Sequence, residues 1–379
     1  MSHATLSTKS AYTSLQDPRE AVRQIAGEIR QTAMGGVVFF CSPRYDLDAL
    51  GAALKAAFDC PVAGCTTAGE IGVGEGYVEG GIVAASFSSP AVSMHPVLID
   101  GLSPLDSATL DRKMSVLEKT AGDFNPRRQF ALLLVDGLSL SEERVCSALY
   151  DHLHGVSLVG GSAGDEMKFQ QTAVYHDGRF HSDAAVLTLF DCRVPFRAFR
   201  LQHFEPGTER MVITAADPEN RLVHEINGAP AAEEYAAAVG VPVESLGPDV
   251  FAANPVLLKV GGEYYVRSPQ AARPDGALAF YCAIDNGLVV TLGKGRDIVG
   301  HLERELHNLK EEVGGLEFVL GCDCIFRRLE MQQTEQLEAA SRVMQGTRFL
   351  GFSTYGEQFN GLHVNQTLTG VALGRGNPA

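Results

Sequence analysis

Tryptophan is absent from the sequence, and no apolar run approaches the roughly 20 residues that a membrane-spanning helix needs. Positive charge is also scarce, since 46 acidic residues against 31 lysines and arginines leave a formal net charge of −15. A general nucleic-acid-binding protein needs a basic face toward the phosphates, so the composition argues against that class. We expect a globular protein of about two to three domains, with neither nucleic acid nor membrane as a partner. Its acidic surface would favour a partner with a basic patch.

The sequence shows neither a secretory signal nor the cysteine pattern of a disulfide-rich protein. Its polar start has no basic segment ahead of an apolar core, and residues 1–20 are interpreted as a flexible tail. The eight cysteines are scattered and several lie in apolar runs, which is typical of reduced, buried thiols in a cytoplasmic protein. Cys322 and Cys324 would share one face of a strand, but no second pair completes a zinc site.

One short motif occurs three times, and we name the copies motif loops 1, 2 and 3. Motif loop 1 (residues 64–70) reads Gly-Cys-Thr-Thr-Ala-Gly-Glu, motif loop 3 (residues 351–357) reads Gly-Phe-Ser-Thr-Tyr-Gly-Glu, and the shorter motif loop 2 (residues 160–165) reads Gly-Gly-Ser-Ala-Gly-Asp. Such repetition predicts a fold built of repeated units. Glycine and hydroxyl residues after a buried strand suit an ordinary turn as well as a ligand-lining loop, so both roles stay open.

Each motif loop ends a predicted β-α-β unit. The strands of these units are nearly continuous apolar runs, which is typical of a parallel sheet. The first strands of the three units are predicted at residues 36–40, 130–135 and 316–320. The helices are predicted at residues 47–58 in the first unit, after an N-cap at Ser141 in the second, and at residues 329–344 in the third. Later antiparallel strands are predicted at residues 81–87, 184–190 and 368–373. The predicted fold class is therefore α/β, with repeated β-α-β units, glycine-rich loops and additional antiparallel strands. Parallel strands place ligands beyond their carboxyl ends, so the three loops could converge on one site.

A stretch of different character separates the second unit from the third. It predicts a strand and a helix joined by a turn at Asn227-Gly228, then two hairpins within residues 256–267 and 280–292, and a helix over residues 298–313. We place the domain boundary at the start of this stretch. It divides the chain into an N-terminal domain of residues 21–215 and a C-terminal domain of residues 216–379.

Three segments resemble a known family. Motif loop 2, residues 224–230 (His-Glu-Ile-Asn-Gly-Ala-Pro), and the end of motif loop 3 with residues 363–367 (His-Val-Asn-Gln-Thr) look like the FIST domains. Those are paired N-terminal and C-terminal sensory modules of mainly bacterial signalling proteins. The resemblance runs from about residue 37 to residue 373 and implies two FIST-type modules that bind a small ligand.

A FIST chain of this length without a fused kinase or cyclase is similar to the haem-binding nitric oxide sensors. That resemblance implies a haem b cofactor, nitric oxide as the signal, and regulation of a partner histidine kinase or a cyclic-di-GMP synthase or phosphodiesterase. It also implies a place in two-component, biofilm or quorum-sensing signalling. The resemblance assigns the iron ligand to no particular residue, and whether the chain forms a homo-oligomer stays open.

A sensor haem needs an axial imidazole beside an apolar pocket that a diatomic gas can enter. Among the eleven histidines, His181 is the first candidate for the iron ligand, because it opens a predicted strand after a hairpin turn with Phe180 beside it. His176, before the same turn, is the second candidate, and His203, which has apolar and aromatic neighbours, is the third. The alternative interpretation is that His176 and His181 simply belong to a hairpin.

The haem-free alternative is a FIST sensor of another small ligand, such as an amino acid. Its predicted pocket consists of polar side chains from motif loops 2 and 3 and the segment that follows, namely Ser162, Asp165, Thr354, Tyr355, Glu357, His363 and Asn365. An enzyme is not expected: Ser162 would need a base and a third group to orient that base, and the Gly-x-Ser-x-Gly elbow is absent. The acids that end each loop suit capping better than a catalytic pair.

Overall fold

The computed structural model describes residues 5–103 and 105–376, and its main body repeats one design three times. Each of the three units forms most of a six-stranded sheet. In every such sheet the two strands that flank a helix run parallel, and the other neighbouring strands run antiparallel. This architecture confirms the predicted α/β class with repeated β-α-β units.

The first two units follow each other along the chain. Unit 1 comprises β1 (Thr8–Thr13), α1 (Pro18–Ile29), β2 (Met34–Cys41), α2 (Leu47–Ala57), β3 (Val62–Thr66), β4 (Glu70–Gly72), β5 (Gly76–Val78) and β6 (Ile82–Ser88). Unit 2 comprises β7 (Val92–Asp100), α3 (Ser107–Ala121), β8 (Gln129–Val135), α4 (Glu142–His152), β9 (Ser157–Ser162), β10 (Val174–His176), β11 (Arg179–His181) and β12 (Ala184–Cys192).

Unit 3 is interrupted, after β13 (Phe196–Leu201), by residues 204–295, which we call the insert domain. The insert domain forms a separate eight-stranded sheet with two short helices and a 3₁₀ turn: β14 (Phe204–Asp217), β15 (Leu222–Ile226), β16 (Ala229–Pro230), α5 (Ala231–Val239), the turn Val243–Ser245, α6 (Pro248–Ala253), β17 (Val256–Val260), β18 (Glu263–Arg267), β19 (Pro269–Ala272), β20 (Leu278–Phe280) and β21 (Val289–Gly295). Unit 3 then resumes with α7 (Ile298–Glu312), β22 (Leu316–Cys324), α8 (Ile325–Gln333), α9 (Leu337–Gln345), β23 (Phe349–Thr354), β24 (Glu357–Phe359), β25 (Leu362–Val364) and β26 (Leu368–Gly374).

The hairpin that follows each motif loop leaves its own unit and extends the sheet of another unit. The hairpin β4–β5 of unit 1 pairs with β23 of unit 3, β10–β11 of unit 2 pairs with β3 of unit 1, and β24–β25 of unit 3 pairs with β9 of unit 2. The exchange is cyclic, so each sheet is completed by a neighbour. Because each hairpin joins another sheet, the motif loop before it crosses from one sheet to the next, and all three crossings lie at one end of the three-unit body.

The inner faces of the three sheets share one apolar core. Phe40 of unit 1 stacks on Phe352 of unit 3 with ring centroids 4.4 Å apart, and Phe87 packs edge-on against Phe318 at 5.3 Å. Each such buried ring stabilises the fold by roughly 1.5–3 kcal/mol. Helices α1 and α2, α3 and α4, and α7 and α9 cover the outer faces of units 1, 2 and 3. Both faces of each sheet are therefore buried, which explains why the strands are continuous apolar runs.

The prediction of a flexible tail over residues 1–20 is wrong from Thr8 onward. Residues 8–13 form β1, which pairs with β6, and α1 begins at Pro18 with Asp17 as its N-cap. The polar composition hid this strand because its buried side chains are mainly threonine and alanine, and Thr8 accepts hydrogen bonds from Arg348. Residues 1–4 of the predicted tail lie outside the described part of the chain.

Three other sequence-based expectations need correction. The boundary at residue 215 falls inside β14, so it does not separate two domains. The predicted hairpin over residues 280–292 does not form, because β20 pairs with β15 and β19 whereas β21 pairs with β14 and β17. The predicted helix over residues 329–344 breaks at Glu335, which has a φ of 56°. A continuous helix would set Met331 and Met344 on nearly opposite faces, and the break lets both enter one apolar core.

The remaining expectations concern cysteines and membranes. The eight cysteines are free thiols, and all but Cys60 are buried. Cys322 and Cys324 lie in different apolar cores, and burial raises the pKa values of both thiols well above the ordinary range. Within the described residues, no helix combines the length and the apolar character that are needed to cross a bilayer.

Candidate functional site

The three motif loops meet at one end of the three-unit body. Their main chains form a cyclic set of hydrogen bonds: the N–H of Ala68 donates to the carbonyl of Ser353 at 3.0 Å, that of Gly164 to Thr66 at 3.0 Å, and that of Tyr355 to Ser162 at 3.3 Å. In each motif loop the donor is the fifth residue and the acceptor is the third. The loops therefore converge as the repeated sequence predicted, around a pseudo-threefold axis.

Motif loops 1 and 3 end in buried glutamates that cap their own loops. Glu70 accepts a hydrogen bond from the hydroxyl of Thr67 at 2.6 Å, and Glu357 accepts one from the hydroxyl of Thr354. Glu357 also accepts from the main-chain N–H of Thr367 at 3.1 Å and from its hydroxyl at 2.8 Å. Burial raises the pKa of Glu70 to about 7 and that of Glu357 to about 8. These carboxyls hold the loops in shape.

Motif loop 2 ends differently, in Asp165. This carboxylate accepts from the main-chain N–H groups of Phe169, Gln170 and Gln171 at 2.9, 2.6 and 2.9 Å, and from the hydroxyl of Tyr355. Burial alone would raise the pKa of Asp165, but these four hydrogen bonds lower it. Asp165 therefore anchors the segment between motif loop 2 and β10 against motif loop 3.

Ser162 is fully buried where β9 meets motif loop 2. Its hydroxyl donates to Glu142 at 3.4 Å and accepts from the amide of Gln358 at 2.9 Å. Glu142 is itself ion-paired with Arg221 at 2.6 Å. Ser162 thus joins a structural network, and its described contacts do not include the imidazole base of a Ser-His-Asp triad.

The insert domain packs against unit 3 beside motif loop 3, where β18–β19 meets β25. Four residues at this junction are Arg267, Ser268, His363 and Asn365, and we call this set the polar cleft. The main-chain N–H of Ser268 donates to the amide oxygen of Asn365 at 3.4 Å, and the Arg267 guanidinium donates to the carbonyl of His363 at 3.2 Å. His363 donates from Nε2 to the carbonyl of Tyr281 at 3.3 Å. The polar cleft therefore joins the two bodies.

Each residue of the polar cleft carries a buried polar atom without a hydrogen-bond partner. These atoms are Nε of Arg267, Oγ of Ser268, Nδ1 of His363 and Nδ2 of Asn365. Buried polar groups in folded proteins are nearly always paired, and each unpaired group costs about 1–3 kcal/mol. Four of the unpaired buried atoms in the described residues thus lie on neighbouring residues at one junction.

Gly356 of motif loop 3 forms one wall of the polar cleft. A methyl group at this position would lie 2.3 Å from Cε1 of His363, 2.8 Å from its Nε2 and 3.4 Å from Nδ2 of Asn365. Only glycine allows the loop to approach the imidazole and the amide this closely. The motif glycine therefore has a local role at the cleft.

An ion cluster next to the polar cleft holds the insert domain on unit 2. Arg221 donates to both Glu142 and Glu143 at 2.6 Å, and the main-chain N–H of Ala283 donates to Glu143 at 2.7 Å. Burial would raise the pKa of Glu143, but His363, Arg221 and the Ala283 N–H lower it to about 2. Sequence reasoning missed this cluster, because Glu142 and Glu143 lie in the first turn of α4, where acidic residues are ordinary.

The structure brings the seven predicted pocket residues into one neighbourhood. Ser162, Asp165, Thr354, Tyr355 and Glu357 lie in the converging loops, and His363 and Asn365 lie in the polar cleft that motif loop 3 borders. Sequence reasoning missed Arg267 and Ser268, which belong to the insert domain. That these residues bind a ligand stays a prediction.

His203 is not positioned to ligate iron, which corrects the third haem candidate. Its Nε2 lies 2.9 Å from both carboxylate oxygens of Glu330, and its Nδ1 accepts from Arg327 at 3.2 Å. Burial lowers the pKa of His203, although Glu330 opposes that shift. The apolar neighbours that drew attention to this histidine surround a fully hydrogen-bonded buried side chain with no nitrogen left for a metal.

The other haem candidates lie on the hairpin β10–β11, but they do not share one pocket. Phe180 packs edge-on against Tyr175 and Phe39, with centroid distances of 5.5 and 6.1 Å, on the face of the sheet that α1 and α2 cover. Neighbouring residues of a strand point to opposite faces, so His181 lies on the other side from Phe180. His176 lines a groove of about 480 Å³, which His181 does not line.

The groove at His176 offers one imidazole. Its lining residues are Lys55, Phe58, Asp59, Cys60, Pro61, Val62, Pro96, Tyr175, His176 and Asp177. Nδ1 of His176 is buried without a partner, and burial lowers the pKa of this histidine. No group of three or more His, Cys, Asp or Glu side chains in the described ranges is arranged to hold a metal ion.

Two family models match the chain: the FIST N domain over residues 36–229 and the FIST C domain over residues 231–360. The chain belongs to the FIST family. FIST domains are sensory domains for small ligands in signal transduction, and they are not catalytic domains. The two matches meet near residue 230, inside the insert domain and later than the predicted boundary.

Further comparisons add little about function. No curated protein matches the chain. The crystal structure of cyanuric acid hydrolase from A. caulinodans is a structural neighbour with 8% sequence identity and a TM-score of 0.36, and the alignment covers 97% of this chain and 99% of that chain.

Proposed function

We propose that this FIST protein senses a small carboxylate that carries an adjacent hydrogen-bond donor, such as an amino acid, bound in the polar cleft. The four unpartnered buried atoms of the cleft are the observation that carries the proposal. Two of these atoms belong to the insert domain and two to unit 3, so a ligand bound between them would contact both.

The hydrogen-bonding character of the four atoms determines the class of ligand. Nε of Arg267 and Nδ2 of Asn365 are donors, and the hydroxyl of Ser268 can donate, so the ligand must present acceptors. Arginine pairs best with a carboxylate. Because His363 donates from Nε2 to the carbonyl of Tyr281, Nδ1 is the ring nitrogen left for a ligand, and in a neutral ring it would accept from an amino or hydroxyl group.

The two carboxylates beside the cleft, Glu142 and Glu143, are both ion-paired with Arg221, and the three groups together carry one net negative charge. Arg267 forms no ion pair with any carboxylate among residues 5–103 and 105–376. A ligand carboxylate would therefore find an available guanidinium there.

Ligand binding at this place can be converted into a change of shape. The polar cleft and the ion cluster around Arg221 both join the insert domain to the three-unit body. A ligand that bridges Arg267 and His363 would favour the state in which the two bodies are closely packed. A signal requires such a difference in affinity between two states. The output is regulation of a partner histidine kinase or cyclic-di-GMP enzyme.

Isothermal titration calorimetry with the common L-amino acids and their carboxamides tests the proposal. We expect saturable binding of at least one amino acid, weaker binding of its carboxamide, and loss of binding in Arg267→Gln/His363→Ala. The matched control is Arg273→Gln, at an exposed arginine of the same domain. Binding that survives in the double variant would place the site elsewhere, and the absence of any binding would refute the proposal.

A nitric oxide sensor with haem b is the second candidate function. The observation that favours it is the buried, unpartnered Nδ1 of His176 beside the groove of about 480 Å³. A neutral imidazole suits an iron ligand, and Phe58, Pro61 and Pro96 give the groove an apolar part. His176 would hold the haem, which supplies the iron that binds the gas.

An absorption spectrum tests the haem candidate. Protein reconstituted with haemin should show a Soret band that moves when nitric oxide is added anaerobically, and His176→Ala should lose the band while His181→Ala keeps it. Loss of the band in His181→Ala alone would make His181 the ligand. A protein that takes up no haemin would exclude this candidate without affecting the polar cleft.

A further inference from the structure

A groove between α1 and α2 crosses the outer face of unit 1. It has a volume of about 510 Å³. Its lining residues are Arg19, Val22, Arg23, Ala26, Gly27, Arg30, Ala53, Ala56 and Ala57. Apart from the arginines, these side chains are small and apolar, so another helix could approach the two backbones closely. This surface takes no part in the polar cleft or the ion cluster.

Three arginines border the groove along α1. Arg19, Arg23 and Arg30 are exposed, and none of them forms an ion pair with a carboxylate in the described part of the chain. Their spacing of four and seven residues returns close to the same face of a helix, about 6 Å and about 10 Å apart along its axis. No acidic residue lines the groove. In a chain of net charge −15 this is a local basic surface.

The corresponding helices of the other two units carry some of their charged side chains in ion pairs. On unit 2, Lys113 pairs with Asp100 at 2.9 Å and His152 with Asp111 at 3.3 Å. On unit 3, Arg342 pairs with Glu338 at 2.8 Å. Within the described residues, unpaired basic side chains also occur there, such as Arg112 of unit 2 and Arg304 of unit 3, and unit 1 has three of them beside one apolar groove.

We propose that this groove binds an acidic amphipathic helix of a partner protein. Helix-in-groove recognition uses an apolar stripe for the floor, which the alanines and Gly27 provide here. Carboxylates of the incoming helix would pair with Arg19, Arg23 and Arg30, since arginine forms bidentate hydrogen bonds with carboxylates. For a partner helix that runs parallel to α1, the matching register is three acidic residues at i, i+4 and i+11. The charge complementarity reverses the expectation of a basic partner drawn from net charge alone.

Fluorescence anisotropy with a synthetic peptide tests the proposal. The probe is a labelled helical peptide of about 20 residues with glutamates at i, i+4 and i+11 and alanine and leucine on the adjoining stripe. A control peptide of identical composition distributes the glutamates around the helix. We expect the registered peptide to bind at least ten times more tightly, and its affinity to fall with added salt.

Variants of the protein locate the binding. Arg19→Glu/Arg23→Glu/Arg30→Glu should weaken binding of the registered peptide at least tenfold, and Ala56→Trp, at an exposed position of the floor, should block it sterically. The control variant Arg127→Glu/Arg210→Glu/Arg273→Glu changes the net charge equally at exposed sites elsewhere and should retain more affinity than the groove variant. Equal affinity of the two triple variants would overturn the proposal.

Other occupants of the groove give different results, and each would overturn the proposal. If the groove binds a second copy of the chain, the wild type will dimerise in light scattering, the arginine variant will be monomeric, and the peptide will not bind. If it binds a membrane, phosphatidylglycerol vesicles will bind through the same arginines while the peptide does not. Failure of the registered peptide to bind at about 1 mM would also exclude a specific helix site.

Discussion

The three motif loops occupy equivalent places in their units, but the pKa values of their terminal acids shift in opposite directions. The pKa is raised in motif loops 1 and 3 and lowered in motif loop 2. Burial raises the pKa of Glu70 to about 7 and that of Glu357 to about 8, because threonine hydroxyls and few other donors surround them. Burial would raise the pKa of Asp165 too, but hydrogen bonds from Tyr355 and three main-chain N–H groups lower it. The motif therefore caps a turn at two places and anchors an added segment at the third.

This difference between the loops indicates which parts of a repeated fold are candidates for function. The features shared by all three loops, such as the cyclic main-chain hydrogen bonds, build the three-unit body. The features that occur at one place only are Asp165 with its added segment, the ion cluster around Arg221 and the polar cleft. These three features lie near one another, around motif loops 2 and 3 and the insert domain.

The largest expected effect comes from removing the ion cluster beside unit 2. Arg221→Met leaves the buried Glu142 and the partly exposed Glu143 without their cation, and breaking the buried pair in this way costs about 3–5 kcal/mol. Chemical denaturation at pH 7 measures the loss. The matched control, Arg342→Met, breaks an exposed pair and should change the free energy of unfolding by less than about 1 kcal/mol. Similar losses in both variants would contradict the role of the cluster.

Removing the charge of the terminal acids separates the two kinds of loop. Asp165→Asn weakens an acceptor of three main-chain N–H groups and should cost about 2–3 kcal/mol. Glu357→Gln should cost less than about 1 kcal/mol at pH 7, because the carboxyl it replaces is largely neutral there. Denaturation curves of the two variants at pH 7 check the order. A larger loss in Glu357→Gln would mean that motif loop 3 relies on an ionised carboxylate.

The pH dependence of stability should have opposite signs at the two loops. The folded-state pKa of Glu357, about 8, lies above the ordinary 4.5, so its contribution is complete below pH 4.5 and is lost as pH rises through 8. The pKa of Asp165 is lowered from 3.8, so its contribution is present above pH 3.8 and is lost as pH falls through the folded pKa.

The two variants expose these trends against the wild type. Glu357→Gln should flatten the loss of stability on the alkaline side, and Asp165→Asn should flatten the loss on the acid side. Melting temperatures across the pH range measure both trends. Variant curves that run parallel to the wild-type curve would show that neither carboxyl changes its proton affinity on folding.

The repeated body was largely predictable from the sequence, and its connections were not. Apolar runs such as residues 130–135 indicate buried strands because the strand is covered on both faces. The exchange of hairpins between units was missed, since pairing of β24 with β9 joins residues about 200 positions apart and depends on the assembled fold. The strand at Thr8–Thr13 was missed because two of its three buried side chains are threonines, which do not read as an apolar face.

The candidate site was predictable only in part, for a similar reason. His363 and Asn365 were singled out through the family resemblance, and they do line the polar cleft. Arg267 and Ser268 lie almost 100 residues earlier, in an unremarked strand end, and only tertiary packing brings them to the same place. His203 shows the converse, because apolar neighbours in sequence also surround a histidine that is fully satisfied by Glu330 and Arg327.

The most direct test of the account is a high-resolution crystal structure of the protein with the amino acid that calorimetry selects. The account predicts ligand density in the polar cleft, with a carboxylate oxygen within about 3 Å of Nε of Arg267 and a donor facing Nδ1 of His363. Density for ordered water alone at Arg267, Ser268, His363 and Asn365, with the amino acid bound elsewhere, would contradict it.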